Sequence, residues 1–202
     1  MLLQLTKKER QVLELSLPHL QVMSNELHTK EVVRFCLQLL QTVGGERHIV
    51  IPAAILHDTG WAKIPENISQ KIRGPDNDHE SVKIHEEISA LIAELILRDV
   101  GYKKVYIDDI VAIIIGHDSR KEALSLNDKI LKDADKLSRF SKEFSKIWPN
   151  WRDGSAAKNV YDILSNGVKN WFFLSESRKI ASFELDQLIQ EDHMCKANYS
   201  AS

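Results

Sequence analysis

Cysteine is scarce in this chain. The 202 residues contain two, Cys36 and Cys195, and they form no closely spaced pair. That argues against a disulfide framework and fits a reducing compartment. Cys36 falls inside an apolar helical pattern and reads as a small core residue. Long apolar runs are also lacking. One of the longest, Ile110 to Ile115, is far too short to span a bilayer. The first residues, Met1 to Lys8, lack the apolar core of a signal peptide. The expectation is a soluble, cytoplasmic protein with no membrane partner. Nor is there an excess of charge of one sign. Lysine and arginine number 27 against 29 aspartates and glutamates, a net charge of -2. No nucleic-acid partner is expected on electrostatic grounds, although local basic residues can still meet a phosphate. There is no internal repeat and no low-complexity tract.

What is present is enough for one domain. The length suits a single domain with a helical extension, and 43% hydrophobic residues are ordinary for a chain that buries a core. Helical signals run along it. Thr6 and Glu9 have capping-box spacing, and Pro18 interrupts or ends the helix they start. Asn25 is placed to cap a second helix that runs to about Val43 and stops at Gly44-Gly45. Arg47 to Leu56 reads as a buried third helix, although Ile49-Val50-Ile51 fits a short strand equally well. Pro52 favours an early helical position over a central strand. Ala62 to Asp78 reads as a charged loop with at most one short helix. Helices are expected over about Ser81 to Asp99, with His79 outside it, and over Ile107 to Ile115. Ser125 and Asp128 start another with capping-box spacing. Trp148-Pro149-Asn150-Trp151 and Asp153-Gly154 mark a turn. Two helices follow, about Ala156 to Phe173 and Glu176 to Glu191, with Trp171, Phe172 and Phe173 packing them onto the body. The tail from Lys196 is expected to be disordered.

The chain is organised around Ala53 to Trp61, where an apolar run ends in His57-Asp58, followed by Thr59 and Gly60. The apolar residues drive the segment into the core and carry the carboxylate with them. A buried carboxylate needs a partner, a hydrogen bond or a metal. Gly60 allows the chain to turn away afterwards. Helical spacing points several further polar residues the same way. His28 lies on a stripe with Val32, Phe35 and Leu39, and His85 on one with Ile88, Ile92 and Ile96. His117 follows Gly116 at the end of an apolar helix. Asp135 lies four residues after Leu131, on the same helix face. Asp133 points elsewhere and reads as solvated, and Asp118 reads either as a ligand's neighbour or, the favoured reading, as a helix-ending residue.

The ordered set His28, His57-Asp58, His85, His117 and Asp135 resembles the HD-domain superfamily of metal-dependent phosphohydrolases. The resemblance covers about Asn25 to Phe140. It implies an all-α helical bundle over residues 1–202, with a ligand-bearing core at about 25–140 and C-terminal helices at about 155–195. It implies His28, His57, Asp58 and Asp135 as metal ligands, with His85 and His117 holding a second ion or serving substrate. Asp58, His85 and His117 are then the residues at the chemistry. Many family members have a lysine directly after the glycine that follows the motif; here Trp61 stands there, and the nearest lysine is Lys63. The glycine-tyrosine-proline signature of the cyclic-dinucleotide branch is absent, with Gly101-Tyr102-Lys103 only a partial echo.

This ligand chemistry suits hydrolysis of a phosphoester or phosphoanhydride bond. A bound ion acidifies water and clamps phosphoryl oxygens, and two ions serve both the attacking and the leaving oxygen. Mixed imidazole and carboxylate ligands favour manganese, iron, cobalt, nickel or zinc over magnesium. Lys63, Lys136 and Arg139 are candidate phosphate contacts, as are Lys71 and Arg73 in the charged loop. The expected substrate is a nucleotide or related small phosphate ester. Two other readings compete: a non-catalytic metal- or nucleotide-binding regulatory module on the same fold, and a helical packing protein with coincidental polar core residues. The last would need a separate hydrogen-bond solution for each inward histidine and aspartate.

Overall fold

The structure, a computed structural model, describes residues 4–22, 24–65, 79–143 and 155–199; the side chains at 79–81, 155–159 and 195–199 fall outside that description. Lys71, Arg73 and the turn expected around Trp148 to Gly154 lie outside the described residues. The fold is all-α. Its helices are α1 (Lys7–Leu20), α2 (Asn25–Val43), α3 (Arg47–Leu56), α4 (His79–Asp99), α5 (Lys104–Ile114), α6 (Leu126–Ser138), α7 (Ser155–Asn170) and α8 (Ser175–Tyr199). A 3-10 turn, Thr59–Lys63, follows α3, and the described residues include no strand.

Helix α3 is the centre of the packing. Every residue from Ile49 to Leu56 is buried, and the helix touches α1, α2, α4, α5 and α6. Such a run is apolar all round because it is surrounded. This resolves Ile49-Val50-Ile51 as helix. Around α3, α2 packs along α6, and α4 packs on both α5 and the 3-10 turn. Helix α8 packs with α7 and seats on α6 and α2. The apolar core is continuous from Leu5 to Leu188.

The start of α1 is fastened to the start of α3. Thr6 Oγ1 accepts the Glu9 N–H at 3.3 Å, and Glu9 Oε2 accepts the Thr6 N–H at 2.7 Å, completing the expected capping box. Glu9 then takes two hydrogen bonds from the Arg47 guanidinium, both at 2.8 Å, although it is only 3% exposed. A buried carboxylate paired in this two-pronged way is satisfied rather than stranded.

Several local expectations are corrected. Pro18 lies inside α1, which continues to Leu20; the ring removes the hydrogen bond to the Glu14 carbonyl without ending the helix. Ser24, not Asn25, is the N-cap of α2; Asn25 instead donates its amide to the Asp58 carbonyl at 3.3 Å. Pro52 is in the interior of α3, beyond its first turn. His79 begins α4 rather than preceding it, and α8 runs past Lys196 to Tyr199. Only half of the second capping box forms: Ser125 Oγ accepts the Asp128 N–H, while Asp128 turns to Arg120 and the Leu124 N–H. Gly60 is required for closeness rather than for a left-handed turn. A Cβ there would lie 2.1 Å from the His85 carbonyl oxygen, so only glycine lets the 3-10 turn press onto α4.

The largest correction is Asp133, which is fully buried and not solvated. It shares a stripe with Ile130 and Leu137, and its carboxylate accepts the N–H groups of Phe173 and Leu174, each at 2.9 Å. Those donors immediately precede α8, so Asp133 holds the entry to the C-terminal helix. Phe172 and Trp171 pack on the Phe140 ring beside it, at centroid distances of 5.7 and 6.0 Å. Asp133→Ala should leave two N–H groups without acceptors and cost about 2–4 kcal/mol. Differential scanning calorimetry should show a lower Tm, and hydrogen exchange should accelerate first at Phe173 and Leu174.

Candidate metal centre

The polar residues selected by their helical phase converge on one place. His57 is the first residue after α3, and Asp58 follows it into the 3-10 turn. His28 comes from the first turns of α2, His85 from α4, and Asp135 from the last turn of α6. His117 lies just beyond α5, after Gly116, whose φ of 91° makes the bend. Helices α3 and α5 therefore both direct their carboxyl ends at the cluster, and such ends favour a cation.

Asp58 divides the cluster through its two oxygens. Oδ2 lies 3.4 Å from His28 Nε2 and 3.6 Å from His57 Nε2. Asp135 Oδ1 completes this half, 3.2 Å from His28 Nε2 and 4.0 Å from His57 Nε2. Asp58 Oδ1 faces the other way, 3.6 Å from His85 Nε2 and 3.4 Å from His117 Nε2. Asp118 Oδ2 borders that half at 3.7 Å from His85 and 3.8 Å from His117. Asp118 is thus more than a helix-ending residue. Three ligand groups with mutually close donor atoms result: His28-His57-Asp135, His57-Asp58-His117 and His85-His117-Asp118.

The outer nitrogens fix the direction of the imidazoles. His57 Nδ1 lies 2.9 Å from the Ala54 carbonyl and His117 Nδ1 lies 2.9 Å from the Ile114 carbonyl. A carbonyl only accepts, so both Nδ1 atoms carry the proton. Ser138 Oγ donates to the Asp135 carbonyl at 2.6 Å and so accepts from His28 Nδ1 at 3.2 Å. All three rings then turn an Nε2 lone pair inward. His28 and His57 Nε2 stand 3.1 Å apart, a contact that needs a proton or a cation between them. The donor set therefore fits a divalent ion, with its outer hydrogen bonds in the usual supporting arrangement.

Without an ion, protons substitute. Burial works against charge on His28, but its hydrogen bond to Asp135 and the charge of Asp58 raise its pKa. Burial lowers that of His57, with the neighbouring imidazoles adding to the effect. Burial also opposes charge on His117, yet Asp118 and Asp58 outweigh it and push the group up to about 10. Burial would raise Asp58, but the imidazoles of His57, His117 and His28 hold it well below the usual carboxylate range. Asp135 is lowered likewise, by His28 and Arg139 against its burial.

The three expected phosphate contacts are placed differently. Arg139 stands at the edge of the cluster, 3.7 Å from Asp135 Oδ2 and half exposed. Lys136 donates to the Trp171 carbonyl at 3.0 Å, with its ammonium 5.4 Å from the Phe173 ring centroid. Lys63 is exposed at the end of the 3-10 turn, and its charge is felt at His19.

Two residues that hold the site escaped the sequence reading. Glu86 is buried and accepts the N–H groups of Asp118 and Ser119 at 2.8 and 2.7 Å and the Ser119 hydroxyl at 2.7 Å. Lys132, also buried, donates to the carbonyls of Gly116, His117 and Arg120 at 2.5, 2.9 and 2.8 Å. Between them they fix the segment that carries His117. Glu86 had a signal, since it continues the buried stripe of Ala90, Ala93 and Leu97. Lys132 had none, because its acceptors belong to a loop.

A family model described as the HD domain matches residues 26–139. A crystal structure of a predicted HD superfamily hydrolase from an uncultured Thermotogales bacterium is similar to this chain with a TM-score of 0.60. The two are 19% identical, over 94% of this chain and 92% of the other. At that identity the likeness shows the fold. Comparison with curated proteins gives no match.

The proton inventory gives a sign to metal binding. His28 and His117 have raised pKa values in the metal-free fold, so an ion must displace their protons, and apparent affinity should rise with pH. Calorimetry with zinc at pH 6 and pH 8 should show affinity at least about tenfold higher at pH 8, with proton release visible as a buffer-dependent enthalpy. The metal-free protein should behave oppositely. Stability contributed by charged His117 is full below its unfolded value of 6.5 and is lost as pH rises through about 10.

Proposed function

The chain belongs to the HD-domain family, and from that premise we propose that it is a metal-dependent phosphohydrolase. Its reaction is hydrolysis of a phosphoester or phosphoanhydride bond, in a nucleotide or related small phosphate ester. The observation that carries this reading is the division of Asp58 between two sets of imidazoles. Oδ2 faces His28, His57 and Asp135, while Oδ1 faces His85 and His117. His28, His57, Asp58 and Asp135 would hold the first ion. His85 and His117, with Asp58 shared and Asp118 at the edge, would hold a second.

A divalent ion held there supplies an acidified water and positive charge for a phosphoryl oxygen. Manganese, iron, cobalt, nickel or zinc suits the mixed nitrogen and oxygen ligands better than magnesium. The chain's own residues supply the rest. Burial of His57, His85 and His117 keeps bulk water from competing for their inward nitrogens. Asp118 is 37% exposed at its side chain, so it borders both the cluster and solvent. Arg139, exposed on one side and tied to Asp135 on the other, would meet a phosphate beside the cluster. Lys136 and Lys63 are further candidates for the same role.

A panel of nucleoside mono-, di- and triphosphates and dinucleotides should reveal a hydrolysed substrate. Chelation should abolish the activity, and manganese or a neighbouring metal should restore it. Asp58→Ala should lose bound metal and activity together, read by elemental analysis and phosphate release. Phosphate release that persists after chelation, or an Asp58→Ala protein that keeps both metal and rate, would overturn the reading.

A further inference from the structure

One imidazole of the cluster is held unlike the others. His28, His57 and His117 each hydrogen-bond through Nδ1 to a hydroxyl or carbonyl oxygen. His85 is fully buried, and its Nδ1 has no hydrogen-bond partner among the described residues. Its polar contacts are all on the Nε2 edge, with His117 Nε2 at 3.4 Å and Asp58 Oδ1 at 3.6 Å, so the Nδ1 edge lacks the outer hydrogen bond that turns the other rings. The face of the ring rests on Trp61. The two rings stack with centroids 4.1 Å apart and planes 15° from parallel. The same indole donates Nε1–H to Asp58 Oδ1 at 3.1 Å. Oδ1 is the oxygen that faces His85 and His117.

We propose that Trp61 is a positioning residue for the His85 side of the site, holding the His85 plane by stacking and Asp58 Oδ1 by its indole N–H. This rests on the reading of the cluster as a metal site. It gives a role to the residue that stands where many relatives have lysine. Gly60 makes it possible, since its contact with the α4 backbone at His85 and Ser89 brings the 3-10 turn close enough for the rings to meet. The two halves of the site are then supported by different means. In the His28–His57–Asp135 half both imidazoles donate from Nδ1, to the Ala54 carbonyl and to Ser138 Oγ. In the other half His117 donates to the Ile114 carbonyl, whereas His85 rests on an aromatic face.

The test compares Trp61→Leu, which loses both contacts, with Trp61→Phe, which keeps a ring and loses the N–H. The first readout needs no metal. In NMR spectra of the metal-free protein, the carbon-bound imidazole protons of His85 should be sharp and shifted upfield by the indole. In Trp61→Leu the shift should vanish and the signal broaden, while the His57 signal stays in place. Trp61→Phe should retain a sharp signal with a smaller shift. The second readout is a zinc titration by calorimetry. Trp61→Leu should weaken the His85-side ion at least about tenfold and leave the His28-side ion within a factor of about two, with Trp61→Phe between wild type and Trp61→Leu. A sharp, unmoved His85 signal in Trp61→Leu would overturn the proposal. So would loss of the whole histidine pattern with a collapsed Tm in both variants, which marks Trp61 as core packing. If the wild-type protein takes up no zinc, the metal reading fails, and the His85 signal still decides the role of Trp61.

Discussion

The structure depends on how one buried carboxylate is satisfied. Asp58 is 8% exposed at the end of a helix that is apolar on every side. In such a setting an unpaired carboxylate would be neutralised or would destabilise the fold. Four imidazoles and the Trp61 N–H surround it instead. The cluster is therefore both the most costly part of the core and the part with the clearest chemistry. Removing a partner without removing Asp58 leaves a charge with no compensation, so the ligand set holds together as a unit.

The helical frame delivers these groups from separate directions. Helix α3 supplies the centre, and the carboxyl ends of α3 and α5 reinforce a site for positive charge. Helices α2 and α6, packed along one another, bring His28, Asp135 and Ser138 together. The 3-10 turn, pressed on α4 at Gly60, brings Trp61 to His85. The loop bearing His117 is clamped by Glu86 on one side and Lys132 on the other. Several of these supports use polar side chains whose partners are distant in sequence: Ser138 with His28, Glu86 with Asp118, and Lys132 with Gly116. Local stability and site geometry are thus set by the same contacts.

The order of the histidines and aspartates was legible because helical phase is a local property. His28 repeats with Val32, Phe35 and Leu39, and Asp135 with Leu131, so their inward direction follows from a period of 3.6 residues. The same logic applied to Asp133, paired with Ile130 and Leu137, would have placed it inside. A carboxylate beside other charges in α6 nevertheless suggests a solvated face, because its partners are the N–H groups of Phe173 and Leu174, far along the chain. The same holds for Asp118 at the end of its helix. Its approach to His85 depends on the loop held by Glu86.

The sequence by itself determined most of the helices, the faces that carry His28, His85 and Asp135 and the residue types gathered there, since these follow from short-range periodicity and the cost of burying charge; that Ile49 to Ile51 is helix was settled by its burial on every side. It also determined that His57 and Asp58 are delivered to the interior. Only the tertiary structure decided which Asp58 oxygen faces which imidazoles and that Trp61 lies flat against His85. Those outcomes depend on separations of 3.4 to 4.1 Å between groups on different elements. Such distances are set by how whole helices pack, through contacts such as Gly60 on α4, and no local pattern in the chain encodes them.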